Sequence, residues 1–508
     1  MSQHPNQPWR RRPAVGCGVS RRSFLADCGL GFAGLAMSAM LEREGIVRAA
    51  DIPGVSGSGA DGAWTPPDGR PHFAPRAKNI IWLFMLGGVS HVEGFDPKPA
   101  LNQFAGKTID ETPHRDVVSN PLVRGNVREF VANRQIYNTI YPLQVGYAPR
   151  GQSGIEVSDW WPHVGSLVDE LAVVRSVWVT DNDHAAQYEF HTGHHLFDGS
   201  HPSVGAWIKY GLGSLNDNLP SFIALGEPPG SCCGGLGSQG ASYLGPEHNA
   251  VQLTIDPANP LPFSSPGPSV SAAEQRAKFE LLRDLHNQHA ASGVDDPVLA
   301  ARIKSYELAF RMQMSVPEAL GFADETETTR RLYGLDQETT SAFGQRCLAA
   351  RRLVERGVRF VQVYHGDGLN SLWDAHTKLR ENHSKLCPQV DLPIAGLLLD
   401  LKQRGLLDET IVVWGSEFGR TPGAEKSDGR DHHPYGFTVW MAGGGLKRGI
   451  VHAATDELGF HAVENRHYIT DIHATLLHQL GLDARRLEVP GRKRLEIDRG
   501  QPIRAIIA

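Results

Sequence analysis

The sequence lacks an excess of basic charge and, in its body, any long apolar run. Its 50 Lys and Arg residues are outnumbered by 56 Asp and Glu residues, which gives a net charge of −6. A nucleic-acid-binding surface needs clustered basic charge, and a spanning helix needs a much longer apolar stretch than the body contains. The composition therefore excludes a nucleic-acid partner and, once an N-terminal signal is removed, a membrane-spanning protein.

Cysteine spacings that bind structural zinc are also missing. The chain has six cysteines but no CxxC pattern, and Cys17 and Cys28 fall within the N-terminal residues 1–49. Cys232 and Cys233 are adjacent in a Gly-rich loop, where a disulfide and two free thiols are both compatible with the sequence. The "AGGG" at 442–445 lacks the Lys and the spacing of a phosphate-binding loop and predicts a turn.

The N-terminus has the pattern of an export signal. Arg21-Arg22 is followed by Phe24, Leu25 and a weakly apolar Gly/Ala-rich run that ends at Met40. A charged segment before a short apolar segment is typical of signal peptides, and the twin arginine is typical of the Tat pathway. We expect a Tat signal over residues 1–49, cleavage near 47–50, and a periplasmic or extracellular location. An ordinary amphipathic helix is the alternative.

The rest of the chain predicts an α/β fold over residues 77–508. Residues 50–76 are rich in Gly, Pro and Asp and predict a linker. Helical patterns, for example at 390–408 and 470–483, alternate with apolar runs, and residues 271–345 predict a helical insertion. The apolar runs, each typical of a strand buried on both faces of a mainly parallel sheet, are 78–88, 171–179, 358–366, 409–419 and 437–445.

Side chains of the types that bind ligands follow four of these runs. Ligands of open α/β sheets collect at the carboxyl ends of the strands, so we expect these side chains to converge. Neutral imidazoles suit zinc, iron, copper or nickel, carboxylates suit manganese, magnesium or calcium, and a mixed set is typical of a catalytic metal site; we expect a divalent ion, with zinc, manganese and calcium as the candidates. The candidate metal ligands are Asp374, His376, Glu417, Asp431, His432, His433 and Asp96, and the candidate catalytic residues are Arg420, His184 and Asp183.

Each of these groups also has a purely structural interpretation. Asp374 could cap the next helix, and Glu417 with Arg420 could form an ion pair at the end of a strand. His432 and His433 could belong to a His-rich surface loop. For function, Arg420 would instead clamp an oxyanion in a bidentate manner.

Taken together, several segments resemble a large family of exported bacterial proteins known only as a domain of unknown function. The resemblance covers residues 77–505 and rests on "NIIWLFMLGGVSHVEGFDPKP", "WDAH", "VVWGSEFGRTP", "GRDHHPYGFTVWMAGGG" and "TDIHATLLHQLGLD". That family is in turn similar to the alkaline phosphatase and sulfatase superfamily. The resemblance implies a three-layer α/β/α sandwich with a divalent metal site at the strand ends, and hydrolysis of phosphate or sulfate esters.

The superfamily pattern maps onto only part of the site. "WDAH" matches the Asp-and-His segment, and His432 or His433 matches a later single His ligand. "SEFG" stands where the superfamily has "SDHG", so Glu417 can replace the Asp whereas Phe418 cannot replace the His. No Cys or Ser stands at the position of the superfamily's nucleophile, to which Asp183 and His184 are nearest.

The sequence therefore predicts metal-assisted attack of water on an anionic small-molecule or glycan ester. A non-catalytic ligand- or partner-binding module of the cell envelope, with a degraded metal site, is the main alternative. A headgroup transferase on the same scaffold is a third possibility. The substrate and the oligomeric state are left open.

Overall fold

The computed structural model describes residues 67–119, 136–256, 271–291, 311–312, 315–367 and 371–508. All of them lie in the unit formed by residues 64–508. The predicted signal falls outside the described residues, as do residues 50–66 of the predicted linker. The division into signal, linker and domain stays a prediction.

The strands of the described residues are short and mostly buried. They are β1 (Asn79–Met85), β2 (Tyr147–Arg150), β3 (Ile155–Ser158), β4 (Leu171–Trp178), β5 (Phe222–Glu227), β6 (Val251–Leu253), β7 (Phe360–Asp367), β8 (Thr410–Gly415), β9 (Gly419–Arg420), β10 (His432–His433), β11 (Phe437–Gly443), β12 (Ile450–His452), β13 (Ala454–Thr455), β14 (Ala462–Glu464) and β15 (His467–Tyr468). All five predicted runs form strands, and β5, next to the edge strand β6, has no predicted counterpart.

Nine of these strands form one sheet in the order β12-β4-β11-β8-β1-β7-β5-β6, with β15 also paired to β4. Every described pairing in this sheet is parallel except those of β11, which runs antiparallel to β4 and β8. The mainly parallel sheet expected from the continuous apolar runs is confirmed. Strand β1 sits at its centre between β7 and β8.

Helices cover both faces of the sheet. They are α1 (Pro99–Gln103), α2 (Pro162–Gly165), α3 (Ala186–Thr192), α4 (Val204–Leu212), α5 (Ala272–Ala291), α6 (Glu327–Leu332), α7 (Glu338–Glu355), α8 (Leu379–Gln403), α9 (Ile469–Gln479) and α10 (Glu496–Arg499). Successive side chains of β1 enter two separate cores, because residues alternate across a strand. One core contains α7 and α8, and the other contains α3, α4 and α9.

The α/β fold is therefore three layers deep, as expected. Helix α8 starts at Leu379, well before the predicted pattern at 390–408, and continues through Pro388 and Pro393. Within the predicted insertion at 271–345, helix α7 begins at Glu338 and packs on the sheet. Its buried side chains belong to the core that also contains α8.

The reversed direction of β11 decides which loops meet. The other strands of the main sheet run one way, so the segments after β4, β7 and β8 lie at one edge of the sheet. Because β11 is antiparallel, the segment before it, with β10, lies at that same edge, and Gly443–Gly445 lies at the opposite one. The glycines are part of the turn that leaves β11, as the sequence predicted.

Candidate metal centre

Four segments of the chain bring imidazoles and carboxylates to this edge. His184 precedes α3 in the segment after β4, and Asp374 and His376 lie between β7 and α8. Glu417 follows β8, and His432 lies on β10, which pairs with β9. The convergence predicted from the strand ends is found for these five residues.

Asp374 is the centre of the cluster. Its Oδ1 lies 3.0 Å from His376 Nε2 and 3.1 Å from His432 Nε2, and its Oδ2 lies 3.2 Å from His184 Nε2. The Nε2 atoms of His376 and His432 are 3.1 Å apart. Three imidazoles thus point the same ring nitrogen at one carboxylate.

The opposite nitrogen of each ring is held in place. His432 Nδ1 lies 3.0 Å from the backbone oxygen of Asn182, His184 Nδ1 lies 3.0 Å from Glu417 Oε1, and His376 Nδ1 contacts Glu425. Carbonyl and carboxylate oxygens only accept hydrogen bonds, so each Nδ1 carries the proton. Second partners of this kind orient imidazoles that bind metals and fix their tautomer.

This arrangement requires positive charge between the rings and Asp374. With Nδ1 protonated, a neutral ring presents only a lone pair at Nε2, and a carboxylate has no proton to donate to it. Either extra protons on the rings or a divalent ion removes the repulsion. Two overlapping groups have ligand atoms close enough to hold one ion, His184 with Asp374 and His432, and His376 with Asp431 and His432.

The cluster is open to solvent on one side. The side chains of Asp374 and His376 are 26% and 25% exposed, whereas that of His432 is 1% exposed. A small anionic molecule can therefore approach Asp374 and His376 from solvent while His432 forms the floor.

The charges of the cluster shift the pKa values of its members in opposite directions. Burial lowers the pKa of His184, but its hydrogen bonds to Asp374 and Glu417 outweigh burial and raise the pKa to about 9. The hydrogen bond to Asp374 likewise raises the pKa of His376. Burial raises the pKa of Asp374, yet the three imidazoles and Arg420 hold it well below its usual range.

Glu417 lies beneath the cluster with its side chain fully buried. Its carboxylate accepts hydrogen bonds from the backbone N–H of Gly87 at 2.9 and 3.0 Å, from Gln187 Nε2 at 2.8 Å and from Ser416 Oγ at 2.9 Å. With His184 Nδ1 added, its oxygens are fully engaged. The structure places this predicted metal ligand as the group that orients His184.

Arg420 is also buried, and each of its three side-chain nitrogens donates a hydrogen bond. Nε donates to Gly88 O at 2.8 Å, Nη1 donates to Arg430 O at 3.1 Å, and Nη2 donates to Asp374 Oδ1 at 2.8 Å and contacts the backbone oxygen of Gly87. Because the Arg420 side chain is fully buried, it does not present a solvent-facing pair of donors to a substrate anion in the way the sequence predicted. In this geometry Arg420 fixes the orientation of Asp374.

The structure does not bring two predicted ligands, His433 and Asp96, to the cluster. His433 is on the strand β10 next to His432, so its side chain points the other way. Its Nε2 contacts the backbone oxygen of Phe460, and burial lowers its pKa. Asp96 is buried against Lys98 Nζ at 3.0 Å and Arg175 Nε at 3.4 Å.

Three further residues lie beside the cluster without contacting the Asp374 carboxylate in the way the imidazoles do. Asp431 accepts the backbone N–H of His432 at 2.8 Å and lies 3.5 Å from His376 Nδ1. Asp183 is exposed and accepts the backbone N–H of His184 at 2.8 Å. Phe418, at the position where the superfamily has a His, stacks its ring on His432 with centroids 4.3 Å apart.

Several residues that shape the site carried little signal in the sequence. Glu425 and the backbone oxygen of Asn182 hold His376 and His432, and Gln187 holds Glu417. A backbone oxygen has no signature in a sequence. Glu425, in the polar loop between β9 and β10, could have been found only from its place in a loop that carries other ligands.

A comparison with family models matches residues 77–507 to one described as "Protein of unknown function (DUF1501)". No curated protein matches the chain significantly. The solved structures that match the chain include the lipoteichoic acid synthase LtaP from Listeria monocytogenes, with 10% identity, 82% of this chain and 76% of that chain covered, and a TM-score of 0.35.

Two further solved structures are a hydrolase and a sulfatase. The phosphonate monoester hydrolase SpPMH from Silicibacter pomeroyi has 14% identity, 68% and 71% of the two chains covered, and a TM-score of 0.33. The PsFucS1 sulfatase from Pseudoalteromonas sp. has 13% identity, 80% and 68% covered, and a TM-score of 0.33. Similarity at this level carries no information about activity.

None of the helices in the described part of the chain has the length and apolar character that a bilayer crossing requires.

Proposed function

The chain belongs to the family described as "Protein of unknown function (DUF1501)", and we propose that it is an exported, metal-dependent hydrolase of phosphate or sulfate esters. One observation carries this proposal: three imidazoles, each fixed through Nδ1, direct Nε2 at the Asp374 carboxylate. Orientation of this kind is typical of residues that bind a metal ion. Export is supported by the Arg21-Arg22 pattern alone.

The residues fit a divalent ion with a preference for nitrogen ligands. Asp374, His376 and His432 would hold it, with His184 beside the second oxygen of Asp374. A set in which imidazole nitrogens outnumber carboxylate oxygens suits zinc better than manganese or calcium, which favour oxygen ligands. When bound, the ion would polarise the ester oxygen and lower the pKa of a water molecule.

The surrounding residues prepare this cluster for an anion. Arg420 places Asp374 by binding its Oδ1, and Glu417 places His184 by accepting from its Nδ1. The exposed side of the cluster at Asp374 and His376 is where the ester would bind. Two Ser hydroxyls lie beside the cluster, but Ser416 Oγ binds Glu417 and Ser371 Oγ accepts from Gln187 rather than facing Asp374, which favours attack by water over a covalent intermediate.

The non-catalytic alternative also has an observation in its favour. Asp374 already forms an ion pair with the buried Arg420 at 2.8 Å, and Phe418 occupies a position where the superfamily has a ligand. In a binding module, the ring of Phe418 and the ion pair would hold the loops together without a metal. The two functions differ in whether the cluster binds an ion with one-to-one stoichiometry.

Adjacent histidines supply a matched test. We expect zinc- or manganese-loaded protein to hydrolyse p-nitrophenyl phosphate or p-nitrophenyl sulfate, and His432→Gln to lose this activity. His433→Gln should retain it, because His433 contacts Phe460 and lies outside the cluster. Protein that binds no stoichiometric metal and hydrolyses neither ester would contradict the hydrolase and favour the binding module.

A further inference from the structure

Cys232 and Cys233 form a close pair of thiols. Their Sγ atoms are 2.7 Å apart, and both residues lie in a short 3-10 turn, Ser231–Cys233. Gly230 and Gly234 flank this turn, and Gly234 has a φ of +101°, which favours glycine. The backbone thus permits an uncommon conformation where the two side chains meet.

The two thiols are unequal in their access to solvent. Cys232 is exposed, whereas Cys233 is 5% exposed. Burial raises the pKa of the Cys233 thiol, with further contributions from Cys232 and from the negative charges of Glu417 and Asp183. A reagent from solvent therefore reacts with the Cys232 thiol first. Cys233 can then react with the modified sulfur of Cys232.

The turn lies against the helix that follows His184. A Cβ at Gly234 would lie 2.6 Å from Cβ of Tyr188, and a Cβ at Gly237 would lie 3.0 Å from its ring. Tyr188 is in α3, next to Gln187, which binds Glu417. The thiol pair is therefore close to the candidate metal centre but belongs to a separate loop, and its chemistry does not depend on the proposed function.

We propose that Cys232 and Cys233 are a redox-active dithiol that closes to a vicinal disulfide by exchange with a small-molecule disulfide. The Cys232 thiolate attacks one sulfur of the reagent, forms a mixed disulfide and releases one thiol. Cys233 Sγ then attacks Cys232 Sγ, the bond to the reagent breaks, and the second thiol leaves with its proton. Two electrons pass to the reagent, whose disulfide is reduced to two thiols.

The disulfide is readily reversible. Bridged cysteines normally have Cα atoms 4.4–6.8 Å apart, farther than adjacent residues allow, so the ring is strained. Strained disulfides are the labile ones, with higher reduction potentials. The other thiols of the described residues, Cys347 and Cys387, are buried and supply an internal control.

The test uses the full chain, treated with oxidised glutathione, alkylated with N-ethylmaleimide and mapped by peptide mass spectrometry. We expect the peptide containing both cysteines to lose the mass of two hydrogens, to take up no maleimide, and to regain both thiols with dithiothreitol. The peptides with Cys347 and Cys387 should show no loss of hydrogen. In Cys233→Ser, Cys232 should stop at the mixed disulfide with glutathione.

Two results would overturn the proposal. One is a wild-type protein in which glutathione remains on Cys232, because the second thiol then fails to displace it. The other is full alkylation of both thiols after oxidant. Neither result bears on metal binding or ester hydrolysis.

Discussion

The buried Glu417 allows a sharp test of how the cluster is organised. The substitution Glu417→Gln keeps the shape of the side chain but removes its charge and turns one acceptor oxygen into a donor. In the structure both oxygens face donors, among them the backbone N–H of Gly87 and the side chain of Gln187. The new NH₂ group must therefore meet another donor, and His184 loses the carboxylate that fixes its Nδ1.

The expected magnitudes follow from these contacts. Leaving a buried donor without a partner costs about 1–3 kcal/mol, so we expect a comparable loss in the free energy of unfolding. Loss of a carboxylate that orients a metal-binding imidazole typically weakens metal affinity about 10–100-fold. We therefore expect Glu417→Gln to fold, to be less stable, and to bind zinc about 10–100-fold more weakly.

Zinc affinity is measured by competition with a chelator, and stability by urea unfolding. The matched control is Asp391→Asn, which changes another buried carboxylate, one that accepts the backbone N–H groups of His163 and Val164 at 2.8 Å rather than contacting the cluster. The control should lose stability without losing zinc affinity. Wild-type zinc affinity in a folded Glu417→Gln variant would refute the orienting role of Glu417.

Three further predictions address packing, pH and export. Gly88→Ala should lower the melting temperature, since Gly88 has a φ of +87° and a Cβ there would lie 2.4 Å from the Phe418 ring; Gly106→Ala, with a φ of +79° but nothing within 4 Å, should do so much less. Burial holds the pKa of His191 at about 4, below the 6.5 of an unfolded chain. As the pH falls from 6.5 to 4, the unfolded chain binds a proton that the folded chain does not, so stability should fall by up to about 3 kcal/mol, and His191→Gln should flatten the urea-unfolding profile over that range. Replacing Arg21-Arg22 by two lysines should abolish export, measured by cell fractionation, and unchanged export would contradict a Tat signal.

The fold was predictable because its strands are buried on both faces. Continuous apolar runs identified β1, β4, β7, β8 and β11. The direction of β11 was not readable, because a central strand has the same apolar pattern whichever way it runs. The antiparallel pairing of β11 with β4 and β8 explains why His432, which precedes β11 in the chain, lies at the same edge as residues that follow the other strands.

The site was predictable in its residue types and less so in its individual roles. His432 and His433 were equivalent in the sequence, and the phase of the two-residue strand β10 separates them. Glu417 and Arg420 were expected to touch metal and substrate, but both are buried beneath the cluster, where their partners are backbone groups and other members of the site. Such partners depend on how loops from distant parts of the chain pack together.

The proposed chemistry depends on one divalent ion bound at Asp374, which elemental mass analysis of protein purified without chelator can detect. We expect about one zinc or manganese ion per chain in the wild type, its loss in Asp374→Asn, and its retention in His433→Gln. A wild-type protein that carries no metal even after supplementation, or an Asp374→Asn variant that keeps its metal, would contradict this expectation.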